Sequence, residues 1–149
     1  MATKSALEAL IDIAKKNSDA LAKRLGESVE ETRRSQEKMN TLLQFRQDYS
    51  ERLTAAMHNG ITPDIHRNYL VFIAKLDSAV ESQKRDVSAR EQLSKNIKAE
   101  WRESEKKRLS FTTLELRQLS SEQKKETKRE QKSSDEQAAR ITLNKKATW

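Results

Sequence analysis

The sequence has no cysteine, one proline and two glycines in 149 residues. Without cysteine there can be no disulfide framework, no thiolate metal site and no cysteine nucleophile. With so little glycine and proline, most turn signals are missing, so the chain is either helical or disordered. Aromatic residues make up 5% and hydrophobic residues 34% of the chain. A compact globular core draws on close to half of the residues, so this supply suits one narrow seam instead. No run approaches the roughly 18 apolar residues of a membrane-spanning helix. The segment Met1 to Ile13 carries Glu8 and Asp12 and lacks a basic start, so it does not read as a secretory signal. These features are compatible with a cytoplasmic protein of one domain.

Charge is what the chain has in abundance. Charged residues make up 36%, and the formal net charge is +7. Residues 101–149 hold 13 Lys/Arg against 8 Asp/Glu, so +5 of that charge lies in the last third. A solvated helix face would account for it, as would a basic tail seeking an acidic partner. Nucleic-acid binders place Lys and Arg in uninterrupted patches. Here Glu122, Glu126, Glu130, Asp135 and Glu136 break up the tail, which argues against nucleic acid as a partner.

A seven-residue repeat runs through the first part. Ser5 and Glu8 have capping-box spacing, which predicts a helix start at Ser5. One seam position reads Ile11, Ser18, Leu25, Thr32, Met39, Arg46, Leu53; the other reads Leu7, Ala14, Leu21, Ser28, Ser35, Leu42, Tyr49, Ala56. Ten of these fifteen are apolar, and the period near 3.5 is that of a left-handed coiled coil. Between Ser28 and Ser35 small polar residues thin the seam.

The helix signals stop at His58–Asp64. Asn59-Gly60 suits a helix C-cap, Thr62 an N-cap and Pro63 a first helical turn. A second seam then reads Tyr69, Ile73, Leu76, Val80, Gln83, Val87, Ile97 and Trp101, with Trp101 as a large filler. Beyond it, Leu109, Leu116 and Leu119 predict a register shift. Two long helices joined by a short turn pack antiparallel. The expected fold is therefore all-α, a long two-stranded antiparallel coiled-coil hairpin. Helix one covers about 5–58, the turn 59–63 and helix two 64–119. Residues 120–149 are helical only with a partner, or frayed, and Trp149 is expected to be exposed and incidental.

The residues offer little for chemistry. His58 and His66 flank the turn with no third ligand, so no metal or cofactor is expected. Gly26 and Gly60 are far apart and form no phosphate loop, and no serine is paired with a histidine. No catalytic residue is assigned and the chain is not read as an enzyme. The informative feature is a surplus of apolar residues near the turn. Adjacent residues stand about 100° apart on a helix, so Leu42, Leu43, Phe45 and Tyr49 cannot all enter one seam. Leu42, Phe45 and Tyr49 on helix one, with Phe72, Leu76 and Ala79 on helix two, form a candidate docking stripe. The alternative is a wider seam or a self-dimer that buries them.

Along most of its length the chain resembles the FliJ family of the flagellar type III export apparatus. The resemblance rests on Ala6-Leu7-Glu8 with Leu10, Asp12 and Ala14, and on Leu25-Gly26-Glu27. In the middle it includes Leu42, Tyr49, Gly60-Ile61, Asn68-Tyr69, Phe72-Ile73, Leu76 and Ala79. Later come Trp101-Arg102-Glu103, Lys106–Arg108 and Leu109. It implies a hairpin like the γ-subunit stalk of rotary ATP synthases. Such a stalk enters the export ATPase ring by its two chain ends, promotes ring assembly and helps couple the ring to the export gate. The implied partners are that ATPase, the cytoplasmic linker of the gate protein and export chaperones. The implied location is cytoplasmic, peripheral at the inner face of the cell membrane, and the chain would be monomeric alone. The implied gate-binding face falls on Lys38, Leu42, Phe45, Tyr49, Phe72, Leu76, Ala79 and Gln83. Phe45 departs from the tyrosine usual in the family, and Lys38 and Gln83 differ in polar type. A generic coiled-coil scaffold and, further off, a basic helical nucleic-acid binder are the competing readings.

Overall fold

The computed structural model describes residues 2–148, of which residues 2–4 are described by backbone only; Trp149 lies outside the described residues. Two helices account for nearly all of it: α1, Ala2–Asn59, and α2, Pro63–Ala147. α1 begins at Ala2, upstream of the Ser5 cap read from the sequence. α2 continues through the segment expected to be partner-dependent, and every side chain from Leu116 to Thr148 is exposed.

The turn is built by the residues that signal it. Gly60 has φ +84°, and its amide donates to the Met57 carbonyl at 3.3 Å, closing α1. The Thr62 hydroxyl accepts from the Ile65 amide at 3.3 Å, and the His66 amide donates to the Thr62 carbonyl at 3.1 Å. Thr62 is thus the N-cap of α2, with Pro63 at the first helical position, where its missing N–H costs nothing.

The chain divides into two compact units. In the first, Asn17–Ser104, the helices run antiparallel, as cross-helix pairs show. Tyr49 meets Phe72, Arg46 pairs with Asp77, Ser35 bonds Asp86, Ser28 bonds Ser94, and Arg24 reaches Glu100. As one partner number falls, the other rises. Every seam position expected on α1 in this unit, from Ser18 to Ala56, is buried or half-buried. The same holds on α2 from Tyr69 to Trp101. Met39, Val80 and Val87 form the apolar core, with Leu42 packed against it. The thin stretch of the seam is held by hydroxyls: Ser28 to Ser94 at 2.7 Å, and Thr32 to Ser94 at 3.3 Å. Ser18 is 1% exposed, the most buried side chain of the set. Small side chains here bury little apolar area, and hydrogen bonds keep their polar atoms satisfied.

The second unit comprises Met1–Lys16 and Glu105–Trp149. In it Ala14 is buried, while Leu7, Ile11, Arg108, Phe111 and Glu115 are half-buried. The register shift expected after Trp101 does not occur. Leu109, Leu116 and Leu119 are 63%, 62% and 44% exposed. The covered positions instead follow the old four-three spacing through Ser104, Arg108, Phe111 and Glu115. The pattern was masked because polar side chains occupy seam positions. The Ser104 hydroxyl donates to the Trp101 carbonyl at 2.6 Å, and Arg108 pairs with Glu105 at 3.6 Å. Leucine spacing alone pointed away from the seam at Leu109 and Leu116, while Leu119 lies at its edge beside Leu7.

Candidate functional site: an aromatic-centred stripe on the hairpin

All eight residues of the expected face lie in the Asn17–Ser104 unit, where the antiparallel pairing brings the two helix segments alongside each other. The Tyr49 and Phe72 rings lie 4.3 Å apart between centroids, tilted by 39°. Such aromatic pairs contribute about 0.5–1.5 kcal/mol beyond the area they bury. Tyr49 is half-buried in the seam, whereas Phe72 remains 40% exposed. Phe45 is 51% exposed. The Tyr49–Phe72 pair, with Phe45 one turn before Tyr49 on α1, makes an apolar centre that the hairpin covers only in part.

The other residues divide between floor and rim. Leu76, 8% exposed, is seam core; it supports the stripe from beneath rather than offering area of its own. Leu42 and Ala79 are half-buried, and Leu42 leans on the Met39, Val80 and Val87 cluster. Lys38 and Gln83 share a shallow groove with Arg34, Glu37, Thr41 and Leu42 at the end of the stripe. The Gln83 amide donates to both the backbone carbonyl and the hydroxyl of Ser35, each at 2.9 Å.

Three features beside the stripe escaped the sequence reading. The Arg52 guanidinium lies 5.3 Å from the centroid of the Tyr49 ring and edges the aromatic centre with positive charge. Arg46, the one charged residue among the α1 seam positions, pairs across the helices with Asp77, and that pairing raises its pKa. Behind Gln83 lies a polar clamp. The Ser35 hydroxyl donates to Asp86 at 2.5 Å, and Arg90 donates to Asp86 at 2.9 Å and to Glu31 at 3.0 Å. The Ser35 hydrogen bond first, and Arg90 next, hold the Asp86 carboxyl below the ordinary carboxylate range. Charged residues at or beside seam positions were the available signal, since each must find a partner across the helix pair.

Among the described residues no three His, Cys, Asp or Glu side chains gather as a metal ion would require, and no helix is long and apolar enough to cross a membrane.

The comparisons agree over nearly the whole length. A family model for the flagellar FliJ protein matches residues 3–147. The flagellar FliJ protein of Salmonella typhi is 31% identical over 145 residues, covering 97% of this chain and 99% of the relative. That of Escherichia coli strain K12 is 29% identical over 145 residues, with the same coverage. No solved structure matches the chain. A match from residue 3 to residue 147 encompasses both helices, the turn and the stripe, and on it the chain belongs to the FliJ family.

Proposed function

We propose that this chain, as a FliJ-family component of flagellar protein export, is a stalk-like adaptor. It binds and promotes assembly of the export ATPase ring, contacts the cytoplasmic linker of the export gate, and binds export chaperones. The observation that carries the gate contact is the partly covered aromatic centre of Phe45, Tyr49 and Phe72. A hairpin with no further use for these rings would gain by burying or replacing them. Gate binding would also hold the chain at the inner face of the membrane without any membrane-spanning segment of its own.

The ring contact is supported by the other unit. Near the start of α1, Leu10 and Ile13 are 45% and 63% exposed, although Leu7, Ile11 and Ala14 already supply the seam. On α2, Leu109, Leu114, Leu116 and Leu119 are all exposed. Apolar side chains on several sides of a helix pair suit an enclosing collar better than a one-sided partner.

The test is a titration of the chain into the export ATPase of the same cell, with ATP turnover as the readout. A rise that saturates well below one chain per ATPase subunit supports the stalk. No change, with an ATPase that demonstrably forms rings, removes it and leaves the docking stripe alone. Sedimentation of the free chain separates the adaptor, which is monomeric, from a scaffold that dimerises through the stripe.

A further inference from the structure

In the unit that holds both chain ends, α2 runs on to Ala147, past the point where the start of α1 packs against it. Leu7 and Glu8 still line a small cleft with Glu115, Gln118, Leu119 and Glu122. Beyond Glu122 the seam spacing falls on Lys125, Arg129, Lys132 and Glu136, all charged and exposed. The coiled coil ends where its seam becomes ionic.

On this overhang Glu122, Glu126 and Glu130 leave one side of the helix to cations as far as Lys132, where Asp135 and Glu136 fall on the same side and end it. At about 100° per residue, Lys124, Lys128 and Lys132 form one stripe. Arg117 joins it, and Lys125 and Arg129 flank it, so that six cations share an arc of about 140°. Glu122, Glu126 and Glu130 form a second stripe, roughly 160° from the lysine stripe. The cleft with Leu7 and Glu8 lies on the side of Glu115 and Glu122, so Arg117, Lys124 and Lys128 face away from α1, while Lys125 and Arg129 continue the seam side.

This arrangement weakens the helix. Elsewhere opposite charges are spaced to pair: Asp12 with Lys16 at 3.0 Å, Lys84 with Glu81 at 3.3 Å, Arg90 with Asp86 at 2.9 Å. Between 122 and 132 opposite charges meet only at the i,i+3 spacings Glu122–Lys125 and Glu126–Arg129, and every charged i,i+4 pair has like charges: Glu122–Glu126–Glu130, Lys124–Lys128–Lys132 and Lys125–Arg129. Like-charge pairs at this spacing destabilise an isolated helix. Among the described residues none of the six cations forms an ion pair within 4 Å.

We infer that the basic stripe of α2, centred on Lys124, Lys128 and Lys132, adsorbs to an anionic lipid surface when this end of the hairpin is not enclosed by the ATPase ring. The stripe is convex and straight, about 22 Å from Arg117 to Lys132 at 1.5 Å per residue. It is mostly lysine, a compact point charge rather than the fork that orients phosphates. It carries no aromatic ring on which a base could stack. A sheet of mobile anionic headgroups requires neither shape nor register from its ligand, only a face of cations. Neutralising the stripe would also relieve its internal repulsion.

The full chain is mixed with phosphatidylcholine vesicles, with and without about one-third phosphatidylglycerol, and sedimented at low salt. It is expected to bind the anionic vesicles only. Each cation near such a surface contributes roughly a fivefold factor, so the Lys124→Gln, Lys128→Gln, Lys132→Gln triple variant should bind about 100-fold more weakly. The matching Glu122→Gln, Glu126→Gln, Glu130→Gln variant should bind at least as well as the parent. Equal binding to both vesicle types, an unaffected lysine variant, or equal loss in both variants overturns the inference. Capture of single-stranded RNA without vesicle binding also overturns it and assigns the stripe to nucleic acid. ATPase stimulation and gate binding are read separately, so failure here leaves the adaptor reading untouched.

Discussion

Replacing Phe45 with alanine separates docking from folding, and Leu76→Ala is its counterpart beneath the same surface. Phe45 is 51% exposed in the free chain. A phenylalanine offers about 150–250 Å², so roughly 100 Å² remains for a partner to cover. At about 25 cal/mol per Å² that area is worth about 2.5 kcal/mol, or a roughly 70-fold loss of gate-linker affinity on truncation. The folded chain loses much less. Part of the cover comes from the helix itself, and alanine regains about 0.5 kcal/mol of helix propensity. Leu76, at 8% exposure, is different: emptying its place in the seam costs about 2–5 kcal/mol. Far-UV circular dichroism melts, paired with calorimetric titration of the gate linker, measure both effects. Phe45→Ala should melt within a few degrees of the parent and bind poorly, whereas Leu76→Ala should melt early. If Phe45→Ala melts as early as Leu76→Ala, the ring belongs to the core. If it binds the linker normally, the stripe is not the gate contact. Leu42 and Tyr49 are less discriminating probes, because Leu42 packs on the Met39 cluster and Tyr49 stacks on Phe72.

Two further substitutions test the frame that holds the stripe. Gly60→Ala should destabilise the chain by about 1–2 kcal/mol, because φ is +84° and a new Cβ would meet nothing within 4 Å, so the cost is torsional alone. Gly26→Ala, in the helix interior with the same open surroundings, should stabilise by about 0.5–1 kcal/mol in the same thermal melts. Asp86 has a depressed folded-state pKa, so its contribution is present above the unfolded carboxylate value near 4 and is lost as pH falls through the lower folded value. The melting temperature of Asp86→Asn should therefore lie below that of the parent at neutral pH and converge with it in acid; parallel curves would show that the clamp of Ser35, Asp86 and Arg90 contributes nothing.

The fold was legible because few competing signals exist in this chain. One Asn-Gly step and one proline locate the turn, and the four-three spacing identifies the seam from Leu7 to Ala56 and from Tyr69 to Trp101. The reading failed after Trp101 because it followed leucines, whereas the covered positions hold Ser104, Arg108 and Glu115. A seam position is defined by its place in the period, and polar side chains fill it when they find a hydrogen bond. The stripe was legible as surplus, since consecutive apolar residues cannot share one seam. Its division into floor and rim was not, because Leu76 has seam spacing and stripe spacing at once. The ionic partners of Arg46, Asp86 and Arg90 lie more than 30 residues apart across the turn for two of the three contacts, Arg46–Asp77 and Arg90–Glu31. No local pattern reveals such pairs until the antiparallel register is known.

The placement of the stripe follows from how the seam is composed. In the Asn17–Ser104 unit, the part of the seam from its far end to Ser35 buries four hydroxyls, with Ser18, Ser28, Ser35 and Ser104 at 6% exposure or less, beside one aliphatic side chain, Ile97. Nearer the turn the seam buries Met39, Leu76 and Val80, with Val87 at the level of Ser35, where the two stretches meet. Apolar burial is the larger stabilising term, so the turn-proximal half is the firmer part of the pair. Phe45, Tyr49 and Phe72 lie on that half, backed by Leu76 and by the Tyr49–Phe72 contact. A partner that docks there meets side chains whose helices are already fixed, so little of its binding energy goes into ordering the site. Had the same rings been carried above the hydroxyl-lined stretch, each binding event would also have to stiffen a weaker helix pair. The polar seam elsewhere is then no defect: it lets the helices pair with little apolar area, and although Val29 and Leu93 are exposed along it, the exposed phenylalanine rings are on the part best able to hold them rigid.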